Sequence, residues 1–182
     1  MKCKKGIRII FLALVFFWGI IIFPTQYIYA QDPLKDLRVT GNSVQFIFNT
    51  LDQYKNGIEI DGWSRIKIRY LYTGHNAWKL SVWTNDPEIV YEGDPINNIP
   101  VGNLELTVQE ISNNDPTTTY TTPFTLSNIK TTFAQGNGLV PPTIVELEFT
   151  ITYKLGTPPN IMLNKPSGFY YVALQFLLEE QI

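Results

Sequence analysis

The chain has 182 residues and a formal net charge of −2, but these totals combine a basic N-terminal segment with an acidic remainder. The first 30 residues contain four basic side chains, the only cysteine and no acid. Residues 31–182 therefore number 152 and carry 10 basic against 16 acidic side chains, a charge of −6. This composition excludes a disulfide framework, a cysteine-ligated metal, a cysteine nucleophile and a basic nucleic-acid-binding protein. It leaves enough chain for one domain with an ordinary hydrophobic core.

The N-terminal segment has the three parts of an export signal, in order. Its positive charges come first, at Lys2, Lys4, Lys5 and Arg8. Ile9–Phe23 is then an uninterrupted apolar stretch, and Pro24 opens a more polar stretch that ends at Ala30. We predict a signal peptide over residues 1–30, and a mature chain that resides in the periplasm, at the cell surface or outside the cell. An uncleaved membrane anchor is the alternative; residues 31–182 contain no further apolar stretch of membrane-spanning length.

The remainder of the chain alternates apolar and polar side chains with a period of two, which is typical of half-buried strands. Seven such segments cover residues 43–49, 64–73, 78–84, 104–111, 124–129, 143–155 and 168–178. Turn-forming pairs such as Asn56-Gly57 and Asp61-Gly62 separate them, and no window keeps a helical period. We predict an all-β fold, an immunoglobulin-like antiparallel two-sheet β-sandwich of about seven strands, with a closed barrel as the structural alternative.

This sandwich is expected to form a single domain over residues 31–182, with residues 31–42 as an extended N-terminal arm. Two segments are candidates for pairing with a neighbouring molecule. In the first, Val44, Phe46 and Phe48 alternate with polar residues and could add a strand to another sheet. In the second, Phe169–Leu178 is apolar on both faces, which predicts either a central strand or one that a partner covers. The polar segment 113–122 is predicted to be an exposed loop.

Residues with catalytic or metal-binding chemistry are few. His75 is the only histidine, lies between two predicted strands and has no Gly-x-Ser-x-Gly motif beside it. We interpret it as a solvated loop residue, and we predict neither an enzyme nor a cofactor. Four carboxylates occur in nine residues, at Asp86, Glu88, Glu92 and Asp94. They are a candidate calcium site, although their spacing matches no calcium-binding loop and they also suit a plain acidic turn.

Aromatic side chains are the remaining candidates for a binding surface. Trp78 is in phase with Leu80 and is predicted to lie in the core. Trp63, Trp83 and Tyr170 are the candidate aromatic surface, since exposed rings of this kind stack on sugars or anchor protein interfaces. The alternative is that a loop or the opposing sheet covers them.

Three stretches resemble exported bacterial surface domains. Trp78-Lys79-Leu80 resembles the Trp-x-Leu strand of WxL-type surface proteins. The ending from Gly168 to Leu178 is similar to the final strand of WxL, spore-coat-U-like and fimbrial-subunit domains. The junction Ala30-Gln31-Asp32 looks like that of many exported Bacteroidetes proteins. The chain differs from these families in lacking a second Trp-x-Leu and a cysteine pair. The resemblance implies a structural or adhesive component of the cell surface, not an enzyme.

These features together predict an exported, non-catalytic surface or envelope protein that acts by protein contact, as a surface-structure subunit or an adhesin-like module. Protein partners or self-assembly are expected, and nucleic acid is not. A carbohydrate-binding module that uses the exposed aromatic residues is the alternative, and a secreted hydrolase is the third hypothesis.

Overall fold

The computed structural model describes residues 35–72, 77–137, 143–159 and 162–181. This part of the chain forms two antiparallel β-sheets that pack together, so the all-β prediction is confirmed. The predicted signal peptide, the choice between cleavage and anchoring, and His75 lie outside the described residues. Within the ranges given above, no helix is both long enough and apolar enough to cross a bilayer.

The first sheet has five strands, and its two longest lie side by side at its centre. In order across the sheet they are β1 (Lys35–Thr40), β3 (Ile58–Tyr72), β11 (Thr143–Leu155), β7 (Leu104–Asn113) and β9 (Phe124–Thr125). β11 pairs with β3 on one side and with β7 on the other. Neighbouring strands in this sheet are distant in sequence, because the chain passes to the other sheet between them.

The second sheet has seven strands arranged around the last one. They are β2 (Ser43–Phe48), β4 (Ala77–Thr84), β5 (Glu88–Tyr91), β6 (Ile99–Pro100), β8 (Thr119–Tyr120), β10 (Thr131–Gly136) and β12 (Gly168–Gln181). β2 pairs with residues 168–173 of β12. On the opposite edge, β5 pairs with residues 170–171 and β4 with residues 174–181.

Alternation of side chains places one face of every long strand in the core between the sheets. Trp78 is completely buried there, as predicted, among Phe, Tyr, Ile, Leu and Val side chains from both sheets. Each of the seven predicted strand segments contains a strand. The prediction missed five shorter strands, β1, β5, β6, β8 and β10, and the six-residue helix α1 (Leu51–Asn56). Segments of two to six residues are too short to show a reliable period.

Helix α1 and β3 correct two of the predicted turns. Asn56-Gly57 does not form a hairpin; it ends α1, which begins with a capping box between Thr50 and Gln53. Asp61-Gly62 lies within β3, where Gly62 has a φ of +57°. The β3–β11 register shifts by two residues at this point, because three residues of β3 lie opposite one residue of β11, so the pair marks a bulge and not a turn.

The polar segment 113–122 is also not simply an exposed loop. It contains β8, and the Asp115 side chain is completely buried. The Oδ2 of Asp115 accepts a hydrogen bond from the indole Nε1 of Trp78 at 3.0 Å. Its Oδ1 accepts from the backbone N–H of Thr117 at 2.9 Å. This carboxylate therefore ties the loop to the central tryptophan of the core.

β1 and β2 are two halves of one extended segment that changes sheets at Gly41. The φ of Gly41 is +76°, which turns the chain from β3 in one sheet to β12 in the other. Immediately afterwards, Asn42 O accepts a hydrogen bond from Leu174 N at 2.8 Å. Ser64 Oγ donates to Gly41 O and lies 2.6 Å from the hydroxyl of Tyr153. The predicted N-terminal arm is thus, over Lys35–Thr40, a strand of the sandwich.

Buried tyrosines predict a loss of stability at alkaline pH. Burial raises the pKa of Tyr170 to about 12 and raises the pKa of Tyr153 and Tyr120 further. A tyrosine in the unfolded chain has a pKa of about 10. Because the folded pKa is the higher one, the stabilisation is complete below about pH 10 and is lost as the pH rises through the folded pKa values.

We therefore expect the free energy of unfolding in urea to fall steadily above about pH 10, and tyrosinate absorbance to appear together with unfolding. Tyr170→Phe should be less stable at neutral pH but should show a smaller alkaline loss. A free energy that stays constant from pH 9 to pH 12 would contradict the prediction.

Candidate contact surfaces

The two candidate tryptophans are both at least partly exposed. Trp63 projects outward from β3 in the five-stranded sheet, with 51% of its surface exposed. Its Nε1 donates to Ser43 O at 2.9 Å, on the free edge of β2. Trp83 projects outward from β4 in the seven-stranded sheet, is partly exposed and pairs with Gln175. Trp63 and Trp83 therefore lie on strands of different sheets.

Tyr170, the third candidate, is a core residue. Its side chain is completely buried, and its ring centroid lies 5.6 Å from that of Phe48 and 4.9 Å from that of Tyr91. Its hydroxyl donates to Pro166 O at 2.8 Å. Tyr170 has the same strand parity as Val172, so the alternation already indicated an inward side chain. Its assignment to an exposed binding surface was wrong.

The candidate strand-pairing segment pairs within its own chain. Val44, Phe46 and Phe48 lie in β2, and their side chains are buried in the core. The backbone of β2 pairs in antiparallel register with the first half of β12. The segment thus completes the sheet of this molecule.

The four clustered carboxylates are exposed, and three of them accept separate local hydrogen bonds. Glu88 accepts from the side chain of Asn98 at 3.0 Å, Glu92 from Phe169 N at 3.1 Å, and Asp94 from Ile96 N at 3.1 Å. Across the four described ranges, no group of three His, Cys, Asp or Glu side chains is close enough to hold a metal ion. The candidate calcium ligands Asp86, Glu88, Glu92 and Asp94 are therefore not gathered into a site.

An exposed apolar surface lies on the outer face of the seven-stranded sheet. We call it the apolar patch and define it as Ile47, Val90, Phe169 and Tyr171. The β-sheet register places Ile47 beside Phe169, and Val90 beside Tyr171. Ile47, Val90 and Tyr171 are 41%, 43% and 39% exposed. The rings of Phe169 and Tyr171 have centroids 6.3 Å apart and planes inclined by 21°. The apolar outward positions of β12 were visible in the sequence, but their neighbours on β2 and β5 were not.

Acidic and polar side chains border the apolar patch. A depression of about 170 Å³ beside Tyr171 and Val90 is lined on its other side by Asp86 and Glu88. Gln45 Nε2 donates to the hydroxyl of Tyr171 at 3.3 Å and orients that ring. Neither β2, β5, the segment between β4 and β5, nor residues 168–173 contains a lysine or an arginine.

A second feature is the edge of β12 beyond β2, which we call the open edge and define as Leu174–Gln181. On one side these residues pair with β4. On the other side, no strand in the described part of the chain pairs with them, because β1 has moved to the other sheet. Leu174 N points to the β2 side, where it donates to Asn42 O. Backbone N–H directions alternate along a strand, so the N–H groups of Phe176 and Leu178 point to the same side.

A groove with both apolar and polar lining separates the open edge from β1, and Asn42 and Gln175 supply polar groups to it. Its volume is about 310 Å³, and Leu37 and Val39 line it on one side with Leu174 and Phe176 on the other. Lys35 of β1 and Glu180 of β12, which do not line the groove, form an ion pair with Nζ 3.2 Å from Oε1. The groove therefore leaves space beside the open edge, and an ion pair joins β1 to the end of β12.

The outer face of the five-stranded sheet is charged, but its charges are paired with each other. Glu148 forms ion pairs with Arg65 and with Lys67, and Arg69 lies 2.8 Å from Glu146. Desolvation acts to raise the pKa of Glu148, but hydrogen bonds from Lys67 and Arg65 outweigh it and lower that pKa. This face therefore presents little uncompensated charge to a ligand.

In the part of the chain that the structure describes, the apolar patch and the open edge are the candidate surfaces for contact with another molecule. Comparison with known proteins adds no relative to this description: no protein-family model matches the sequence, and no curated protein matches it.

Proposed function

We propose that this chain is an exported, non-catalytic β-sandwich protein of the envelope or cell surface that acts by binding other proteins, as a surface-structure subunit or an adhesin-like module. We propose further that the sandwich is of immunoglobulin-like type. The repeated passage of the chain between two antiparallel sheets supports this type. The open edge of β12 is the observation that carries the functional proposal.

An unpaired strand edge favours the addition of another strand, because its N–H and C=O groups are already aligned for pairing. Proteins that remain monomeric protect such edges with proline, lysine, bulges or very short strands. Leu174–Gln181 has eight residues, no proline or lysine, and a regular register with β4. Its two acids are already paired, Glu179 with Lys130 and Glu180 with Lys35. The edge is thus regular, apolar at four of its eight positions and weakly protected.

The residues that line the groove indicate which side chains a strand added to the open edge should have. An added strand would hydrogen-bond to the backbone of Phe176 and Leu178 and direct every second side chain toward Leu37 and Val39. Apolar side chains at alternate positions are therefore expected in the partner segment. Burial of such side chains stabilises a complex by roughly 25 cal/mol for each Å² of apolar surface.

Photo-crosslinking in the living cell tests this proposal. A photoreactive amino acid at Leu177, which is 39% exposed on β12, should form a discrete adduct with another protein. The same group at Ile111, 51% exposed on β7 in the other sheet, is the matched control and should give no such adduct.

The substitution Leu178→Pro should remove the Leu177 adduct, because it deletes an N–H that points to the open edge and leaves the pairing with β4 intact. Leu177→Lys is a second variant that protects the edge by charge and keeps every N–H. Equal adducts at Leu177 and Ile111, or an adduct that survives in folded forms of both variants, would refute the proposal.

A further inference from the structure

We propose that the apolar patch of Ile47, Val90, Phe169 and Tyr171 is a docking site for a basic protein segment, one that presents apolar side chains flanked by lysine or arginine. The inference rests on the proposed function in assuming a protein ligand. It concerns a different surface, on the first half of β12 and not on the open edge.

The four side chains of the apolar patch are neighbours on adjacent strands. Other strongly exposed apolar side chains lie outside the strands, such as Ile96 in a three-residue 3-10 helix and Ile129 in a loop, and scattered residues of this kind are normal for a protein surface. The patch instead gathers four large side chains on adjacent strands of a rigid sheet. Clusters of this kind, centred on aromatic residues, are typical of interaction sites. Gln45 and the backbone register hold these side chains in place, so little ordering is needed on binding.

The acidic side chains around the apolar patch indicate the charge that a partner should carry. Asp86 and Glu88 border the depression beside Tyr171, and Glu92 contacts Phe169 N. No lysine or arginine occurs in β2, β5, residues 85–98 or residues 168–173, and the nearby Lys165 donates from Nζ to Asn98 O at 2.8 Å and not to these carboxylates. A partner with lysine or arginine around its apolar centre would therefore associate faster and more selectively than a neutral or acidic one. An arginine could also stack on the Phe169 or Tyr171 ring.

Two other occupants fit less well. A neutral polysaccharide could stack on the two rings but would gain nothing from the net negative border. A second copy of this chain would have to offer basic residues, and those grouped on its five-stranded sheet are already paired with Glu146 and Glu148. A basic protein segment satisfies both the apolar and the charged parts of the surface.

Binding of two fluorescent peptides to residues 31–182 and to the full chain tests the inference. One short peptide alternates arginine and tyrosine, and the other alternates glutamate and tyrosine. The arginine peptide should bind, with an affinity that falls as salt is added, and the glutamate peptide should bind at least about tenfold more weakly.

Tyr171→Ser should weaken binding of the arginine peptide at least about tenfold, as expected for an aromatic anchor. Asp86→Asn combined with Glu88→Gln should reduce the salt dependence. Ile111→Ser, an equally exposed apolar position on the other sheet, is the matched control and should change nothing. Thermal unfolding checks that each variant is folded.

Equal binding of both peptides, or peptide binding that Tyr171→Ser leaves unchanged, would overturn the inference. It would also be overturned if the chain bound a neutral polysaccharide or associated with itself and Tyr171→Ser abolished that interaction. The open-edge variant Leu178→Pro separates the two proposals, since it should leave peptide binding unchanged. If no adduct forms at Leu177 but the arginine peptide binds, the open-edge proposal is wrong and the apolar-patch proposal stands. If the adduct forms but the peptide does not bind, the apolar-patch proposal is wrong.

Discussion

Replacing Asp115 by alanine is expected to lower the free energy of unfolding by about 3 kcal/mol, because the buried N–H of Trp78 would lose its acceptor. Asp115 is completely buried and accepts hydrogen bonds from the indole of Trp78 and from the N–H and hydroxyl of Thr117. The alanine variant would leave the Trp78 N–H without this partner inside the core. Urea unfolding followed by tryptophan fluorescence measures the change.

Two further variants separate the hydrogen bonds of Asp115 from its volume. Asp115→Asn keeps the shape and one acceptor oxygen, so it should cost less than the alanine variant. Thr119→Ala, at an exposed position of the same segment, is the control and should change the free energy of unfolding by less than about 0.5 kcal/mol. The assignment is wrong if Asp115→Ala is as stable as this control.

Gly41→Ala is the second substitution with a large expected effect, a loss of at least about 2 kcal/mol in the free energy of unfolding. The φ of +76° disfavours any residue with a Cβ. In addition, that Cβ would lie 2.6 Å from the carbonyl oxygen of Trp63, which belongs to the backbone of β3. The clash can be relieved only by moving β1 relative to β3 or β2 relative to β12.

Gly102→Ala is the matched control for Gly41→Ala. A Cβ at Gly102 would meet no atom within 4 Å, and this glycine has no positive φ. We expect its stability to change by less than about 0.5 kcal/mol. Hydrogen exchange should show faster opening of β1 in the Gly41 variant. Equal stability of the two variants would mean that the change of sheets at Gly41 is not a constrained point of the fold.

The alternation of residues along a strand predicts which side chains of β12 point into the core and which point outward. Alternation along β12 assigned Tyr170 to the side of Val172, and the structure confirms that both are buried. Tyr170 is therefore at an inward position and was wrongly predicted to be a surface residue. Phe169 and Tyr171 are at the outward positions. The apolar patch itself also needs Ile47 and Val90, which are distant in sequence and meet β12 only through strand pairing.

The sequence by itself determined that the chain would form antiparallel sheets, which segments would be the long strands and which side of each strand would be apolar. These properties follow from a period of two and from residue preferences, and both are local. Only the tertiary structure decided the pairing partners, the burial of Asp115 against Trp78 and the transfer of β1 to the other sheet. Local alternation carries no information on which strand becomes a neighbour, so the open edge and the apolar patch arise from pairing between distant segments.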